Sequence, residues 1–331
     1  INLQDFGLLD GEPIAQNLDD IISVSEEMQT LKERIVKVAR TKSTVMIYGE
    51  TGTGKELVAR AIHNGGSRKN KRYLSQNCAA IPENLLESIL FGTTRGSFTG
   101  AENRPGLFEI ASGGTLFLDE INSMDLAVQA KILKAIEEQK IRRIGGTEDI
   151  LIDVRIIAAT NKDLPVLVRQ GLFRSDLFYR LSVFTLSIPP LRNRRQDLME
   201  FIPFFLEKYN KAYGFSRYLT GDAWAHLLAY DWPGNVRELS NTLERLVVLA
   251  ETNEITSEDV TRYLQCGVQK HDLHLPLEET KEMTLPEATE ILERKMLTDA
   301  RAKYGTYRAM ANHLGIDFST IARKMRKYGI E

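Results

Sequence analysis

The sequence predicts an α/β domain built on a parallel sheet, followed by a helical subdomain and a separate all-α tail. Three observations carry this prediction. Apolar and β-branched runs at Thr44–Tyr48 (TVMIY), Thr115–Leu118 (TLFL) and Val154–Ala159 (VRIIAA) alternate with helical stretches. That order places helices on both faces of a parallel sheet. From about residue 195 the strands give way to amphipathic segments, QDLMEFIPFFLEKYN and those around Trp224, Leu239 and Val260. The last segment reads as a long helix, a short helix, a glycine turn and a second short helix.

The first run opens onto GETGTGKE at Gly49–Glu56, and the helical run LVARAIH follows. Strand, glycine loop, lysine and helix in that order form a phosphate-binding loop. Gly49, Gly52 and Gly54 permit a tight turn, and the N–H groups of Glu50, Thr51 and Thr53 can then approach phosphate. The helix N-terminus faces the anion, and Lys55 would reach the β- and γ-phosphates of ATP. Glu56 stands where most such loops place a Ser or Thr for Mg²⁺, so the metal must lean on other ligands. TLFL ends in Asp119 and Glu120. Asp119 is placed to hold Mg²⁺, and Glu120 to orient and deprotonate a water. Acids after a strand also cap helices, but here they lie some 60 to 70 residues beyond the phosphate loop, the arrangement of an NTPase.

VRIIAA ends in Thr160 and Asn161, which can sense the γ-phosphate or form an ordinary turn and cap. Arg174 and Arg180 are six residues apart, near one face if the stretch is helical. They can supply charge to a γ-phosphate across a subunit interface or form surface salt bridges. Arg237, in DWPGNVREL, opens another helix that Asn235 can cap, and it reads as a nucleotide contact.

Between the two halves of the ATP site lies GSFTGA, Gly96–Ala101. Glycines flank one aromatic and a hydroxyl, which suits an exposed interface anchor as well as a ring folded back on its own helix. RRIGGTED at Arg142–Asp149 reads as a second mobile loop or as a plain hairpin.

These motifs, together with ESILFGTTRGSFTGA and FRSDLFYRL, resemble those of the NtrC-like branch of AAA+ ATPases, the bacterial enhancer-binding activators of sigma-54 RNA polymerase, and occur in that family's order. The resemblance covers about Asp19–Leu264 as ATPase and Thr284–Glu331 as a DNA-binding tail similar to the Fis-type helix-turn-helix. It implies an AAA+ P-loop sheet with a helical lid, assembly into dimers and hexamer rings, and sigma-54 contact through Gly96, Ser97, Phe98, Thr99, Gly100 and Ala101. Ser97 replaces the alanine usual in that motif, a small-for-small change. Asn77 in SQNCAA resembles the family's switch asparagine, which restrains the catalytic glutamate, here Glu120. Glu56 is itself the family pattern.

The resulting organisation is a leader at 1–18, an α/β ATPase subdomain at 19–190, a helical lid at 191–265, a linker at 266–283 and the tail at 284–331. Ser319 and Thr320 stand at the start of the second short helix, where base edges are met, and Arg323, Lys324, Arg326 and Lys327 supply phosphate and base contacts. From Thr284 on there are nine Lys and Arg against six Asp and Glu, whereas the whole chain of 331 residues carries a net −2. Enhancer DNA affinity would therefore be local and salt-dependent, and raised by avidity.

A hydrophobic content of 43% supports a core, and no apolar run is long enough to span a membrane. Cys78 and Cys266 sit in unrelated contexts, which points to a reducing cytoplasm, and the five histidines lack metal-ligand spacing. The chain begins at Ile1 rather than Met, so it reads as a fragment or processed product. Two other readings compete with the activator. Another AAA+ remodelling ATPase with a DNA-binding tail would need a hydrophobic pore loop or strand-tracking groove in place of GSFTGA. A repressor that only senses ATP would not need Asp119, Glu120, Arg174 and Arg180.

Overall fold

The computed structural model describes residues 18–97, 102–266 and 285–329. The chain divides into two units after Cys266. In the first, a helical turn at Leu18–Asp20 precedes α1 (Glu26–Ala39), β1 (Val45–Tyr48), α2 (Lys55–Asn64), β2 (Tyr73–Asn77) and α3 (Glu83–Phe91). Next come the two-residue strands β3 (Gly92–Thr93) and β4 (Arg104–Pro105), then α4 (Leu107–Ile110), β5 (Thr115–Asp119) and α5 (Leu126–Glu138). A short pair, β6 (Lys140–Ile141) and β7 (Ile150–Leu151), leads to β8 (Arg155–Thr160), α6 (Leu164–Arg169), α7 (Ser175–Leu181) and β9 (Phe184–Ser187).

Five strands form one sheet in the order β2-β5-β8-β1-β9, and every pairing is parallel. Successive side chains of a strand point to opposite faces, so the apolar strands feed two cores. Met46, Leu116, Leu118, Ile156 and Ala158 pack with α3, α5 and α7. Val45, Ile47, Phe117, Ile157 and Ala159 pack with α1 and α2. Because the strands are parallel, the ends of β1, β2, β5 and β8 open onto one edge of the sheet, the edge where α/β folds bind ligands. The edge strands β2 and β9 carry polar residues (Ser75, Gln76, Asn77; Thr185, Ser187), and their composition does not mark them as strands.

The lid comprises α8 (Leu198–Tyr213), β10 (Tyr218–Leu219), α9 (Gly221–Ala229), α10 (Asn235–Leu249), β11 (Glu254–Ile255) and α11 (Ser257–Cys266). Its core centres on Trp232, fully buried among Leu198, Ile202, Leu227, Leu239 and Leu243. The Trp232 indole donates to the Leu227 carbonyl at 3.0 Å, so this large ring is buried with its polar atom satisfied.

The second unit holds α12 (Leu285–Tyr304), α13 (Tyr307–Leu314) and α14 (Phe318–Tyr328). Gly315 ends α13 at φ 65°, a left-handed value that glycine tolerates, and its N–H donates to the Ala311 carbonyl. Leu297 and Ala300 of α12 pack with Met310, Ile321, Met325 and Tyr328. Part of the apolar face of α12 is therefore used within the tail. The leader, residues 98–101 of GSFTGA and most of the linker lie outside the described residues. Among the described residues, no helix is long and apolar enough to cross a membrane.

Beneath the sheet, His63 is 4% exposed, with Nδ1 2.9 Å from Thr115 Oγ1 and the buried guanidinium of Arg155 nearby. Burial, then the Arg155 charge, lowers its pKa below the ordinary 6.5. Above that pH neither folded nor unfolded chain binds this proton. Below it the unfolded chain does so first, so stability falls as pH drops, by at most about 1.4 kcal/mol per pH unit for one proton. Urea unfolding of wild type and His63→Gln at pH 7.5 and 5.5 should give a smaller acid loss in the variant. Equal losses would show that His63 does not set this dependence.

Candidate functional site

The turn from β1 into α2 places the lysine under a tight loop. Gly52 adopts φ 81° and Gly54 φ 103°. A Cβ on Gly52 would lie 2.2 Å from the Gly234 carbonyl, so only glycine fits there. Lys55 is 7% exposed, and its Nζ donates to the carbonyls of Gly49 (3.1 Å) and Glu50 (3.2 Å). Burial lowers the Lys55 pKa, while Asp119 and Glu120 oppose the shift through their charge. Arg237 acts on Lys55 in the same direction as burial, which brings its guanidinium within electrostatic reach of the loop.

Asp119 ends β5, in register with Asn77 at the end of β2. Its Oδ1 accepts from the Glu120 amide at 2.9 Å, and Glu120 turns at φ 53°. Both carboxylates are half-buried, and among the described residues neither has a salt-bridge partner. They are the acids available here to a cation or a water. Among the described residues no cluster of His, Cys, Asp and Glu could hold a metal alone, so a cation at Asp119 would need oxygens from a phosphate ligand.

Several of these side chains have partners of their own. Asn77 Oδ1 accepts from Ala79 (2.9 Å) and Ala80 (3.2 Å), amides left open where β2 ends. Thr160 is fully buried and donates to Asn122 at 2.7 Å, so Asn161, whose Nδ2 lies 3.2 Å from Thr51 Oγ1, is the one at the loop. Glu56 pairs with Arg60 one helical turn on, at 2.9 Å, and faces away from any metal role. Thr53 Oγ1 closes the loop onto the Glu50 carbonyl at 2.8 Å. Arg174 precedes α7 and pairs with Asp176 at 2.7 Å, while Arg180 lies in its last turn. Both are exposed, and neither bonds to the phosphate loop of its own chain.

The lid holds the loop from behind, a feature the motifs do not reveal. Arg192 forms a two-pronged ion pair with Glu50, at 2.8 and 2.5 Å. Asn235 does not cap α10; Gly234 precedes that helix. At φ 55°, Asn235 donates from Nδ2 to Glu50 Oε2 and to the Thr51 carbonyl, both at 3.1 Å, and accepts from the Leu191 amide at 2.8 Å. The Arg237 amide donates to the Gly52 carbonyl at 3.3 Å, and Arg194 to that of Thr53 at 3.2 Å. Four successive loop residues are thus held by the lid.

Residues 21–187 match the family described as the Sigma-54 interaction domain, residues 192–275 an AAA+ ATPase lid domain and residues 282–331 a helix-turn-helix domain. The chain belongs to the sigma-54-dependent transcriptional activators. It is 42% identical to the transcriptional activator RocR of Bacillus subtilis over 94% of this chain and 68% of RocR. It is also 42% identical to the response regulator protein PilR of Pseudomonas aeruginosa, over 94% of this chain and 70% of PilR. Curated relatives run longer, and the chain spans as little as 49% of HyfR from Escherichia coli. Brucella abortus NtrX crystallised with ADP is 35% identical, with TM-score 0.71, over 94% of this chain and 69% of NtrX. Thermotoga maritima RuvB, 16% identical with TM-score 0.53, shares the AAA+ fold.

In this sigma-54 activator, β3 and β4 flank GSFTGA in the sequence and pair with each other, Gly92 opposite Pro105 and Thr93 opposite Arg104. The second loop is a hairpin docked on those strands. Ile144 bonds to Gly92 (2.9 Å) and Thr94 (3.0 Å), and Arg143 pairs with Glu109 at 2.6 Å. A Cβ on Gly145 would lie 2.6 Å from that of Ser97, whose buried hydroxyl has no partner among the described residues. On α14 of this activator, Ser319, Arg323, Arg326 and Lys327 are exposed and Thr320 is partly so. Lys324 is only partly exposed. It lies beside the buried Ile321–Met325–Tyr328 stripe and pairs with Glu293 of α12 at 2.5 Å, while Lys327 lies 3.5 Å from Glu290.

Asn235→Ala should destabilise the ATPase unit by about 1–3 kcal/mol, because it strands the Leu191 amide and puts alanine at a left-handed φ. Chemical unfolding monitored by tryptophan fluorescence measures this. A change below about 0.5 kcal/mol, the usual surface effect, would show that the clamp contributes little.

Proposed function

We propose that this chain hydrolyses ATP to remodel the closed complex of sigma-54 RNA polymerase, which it engages through GSFTGA while α14 holds upstream enhancer DNA. One observation carries the reading. Among the described residues Asp119 and Glu120 have no salt-bridge partner, at the edge of the sheet where the loop around Lys55 also opens. Carboxylates without a cation partner beside a phosphate loop suit a site completed by Mg²⁺–ATP. NtrX, a relative of this chain, was crystallised with ADP and with ATP.

Lys55 would leave the Gly49 and Glu50 carbonyls for the phosphates, and the loop amides from Gly52 to Glu56 would cradle them. Asp119 would hold Mg²⁺, whose chemistry is to neutralise charge on the β- and γ-oxygens. Glu120 would orient the attacking water and take its proton. Asn161 would respond to the γ-phosphate through Thr51, and Arg237 would add charge from the lid. Arg174, just before α7, and Arg180 on it are exposed together with Tyr179 and suit completion of a neighbouring copy's site in a hexamer. Such work takes place where polymerase and DNA are, in the cytoplasm. The exposed Arg323 and Arg326 suit phosphates and guanine edges, and Ser319 and Thr320 lie at the amino end of the helix, as in other helix-turn-helix readers.

Glu120→Gln should keep ATP affinity and lose most turnover, measured by phosphate release. Near-normal turnover would reject its role. Mixing Arg174→Ala with Glu120→Gln subunits should restore some turnover, because one interface then carries both intact groups. No restoration together with concentration-independent wild-type activity would reject a shared site.

Thr99→Ala and Phe98→Ala should retain substantial ATPase activity and DNA binding but fail to capture sigma-54 with ADP–aluminium fluoride present. A gel shift beside an ATPase assay measures both. Wild-type-like capture by both variants would remove GSFTGA as the contact.

A further inference from the structure

The segment between Leu18 and Ser25 is stitched to both halves of the ATPase. Ile21 is 6% exposed and packs in the α1–α2 core under the sheet, whereas its neighbour Ile22 packs against the lid core. Behind them Asp197, fully buried at the start of α8, accepts from the Val24 amide (2.7 Å), the Ser25 amide (2.8 Å) and the Ser25 hydroxyl (3.1 Å). Asp197 also faces Arg194 at 3.6 Å, in a pair whose side chains are only 2% and 0% exposed. The other end of that guanidinium reaches the Thr53 carbonyl of the phosphate loop at 3.2 Å.

A buried carboxylate needs its charge matched and its lone pairs filled. Here that demand is met by the backbone of the segment on one side and by Arg194 on the other. Among the described residues Arg194 Nε has no partner, so the guanidinium is held there by its bonds to Thr53 and Asp197. A shift of Val24 and Ser25 would remove two backbone donors from Asp197, pull Arg194 further towards it and release Thr53. Thr53 lies in the loop whose amides must stay aimed at phosphate.

We propose that Leu18–Ser25 is a control strap, and that Asp197 and Arg194 are positioning residues through which its seating sets the affinity of the phosphate loop for nucleotide. The strap is continuous with residues 1–17, so a load on those residues reaches Asp197 along the chain. The proposal rests on the ATPase reading given above. It adds a route by which the preceding sequence governs the site without touching it. Coupling of this kind is reciprocal: nucleotide binding must steady the strap as much as a seated strap favours nucleotide.

Removing Asp197 or Arg194 outright would leave a buried charge unpaired and threaten the fold. Ser25→Pro avoids this. Ser25 has φ −67°, the value proline imposes, and its side chain does not cap α1. Proline would delete the Ser25 amide and hydroxyl bonds to Asp197 and leave the Asp197–Arg194 pair intact. Ser25→Ala deletes only the hydroxyl bond and should act in the same direction more weakly. With the full chain and Mg²⁺–ADP as probe, Ser25→Pro should raise Kd about fivefold or more, the low end of measured couplings between sites. It should raise KM for ATP similarly, with kcat changed less than about twofold, because the catalytic groups are untouched.

Hydrogen exchange supplies the second readout. In wild type, ADP should slow exchange in residues 20–28 as well as 49–57; in Ser25→Pro the effect on 20–28 should be lost. Wild-type Kd in Ser25→Pro with its thermal stability lowered would make the strap merely structural and overturn the proposal. So would a strap whose exchange in wild type ignores bound ADP. A wild-type chain that binds no nucleotide would instead refute the ATPase reading, which the first titration tests separately.

Discussion

A loop that turns its amides towards phosphate must turn its carbonyls away, and those carbonyls need partners. In this chain the lid supplies them. Asn235, the Arg237 amide and Arg194 take the carbonyls of Thr51, Gly52 and Thr53, and Arg192 grips the Glu50 side chain. The shape of the phosphate loop and the position of the lid are therefore one variable. The strained turn Trp232–Asn235, with φ 52° and 55° at its ends, is held by the burial of Trp232 in the lid core and presents Asn235 to the loop. Lid packing, the turn and the loop form one chain of cause.

A second chain runs from the site to the surface. Asp119 ends β5 and Glu120 follows it, and the β3–β4 pair flanking GSFTGA lies between α3 and α4, whose Leu90, Phe91, Leu107 and Phe108 pack in the same core as Leu116 and Leu118 of β5. The second loop is tied to those strands through Ile144 and through the Arg143–Glu109 pair. A packed core responds to a shift as a unit rather than by bending. This supports the reading that a change at the γ-phosphate reaches the loop through the α3–α4 layer.

The parts legible in the sequence are those whose local chemistry is demanding. Gly52 and Gly54 must be glycine, the strands at 45–48, 115–119 and 155–160 must be apolar on both faces, and α13, Gly315 and α14 carry their own capping and periodicity. The parts that were not legible depend on partners far along the chain. Asn235 looked like a helix cap because a cap is the local role of asparagine; its partner Glu50 lies 185 residues away. Arg192 and Glu50 are 142 residues apart, and Asp197 and Ser25 are 172 apart. Asn77 and Thr160 take local partners that their motifs do not announce, the Ala79 amide and Asn122 respectively. The charge of Lys324 is visible in sequence, whereas its partner Glu293 lies on α12 and becomes apparent only in the fold. The edge strands β2 and β9 escaped notice because one flank of each lacks a neighbour and their side chains are polar.

The central claim is that hydrolysis at this site is spent on sigma-54 polymerase. Permanganate footprinting of promoter melting tests it most directly, with the chain, polymerase and supercoiled templates that differ only in carrying a sigma-54 or a sigma-70 promoter. The account predicts unpaired thymines on the sigma-54 template alone, with ATP, and none with a non-hydrolysable analogue. Melting without hydrolysis, or no melting by a chain that turns over ATP, would contradict it.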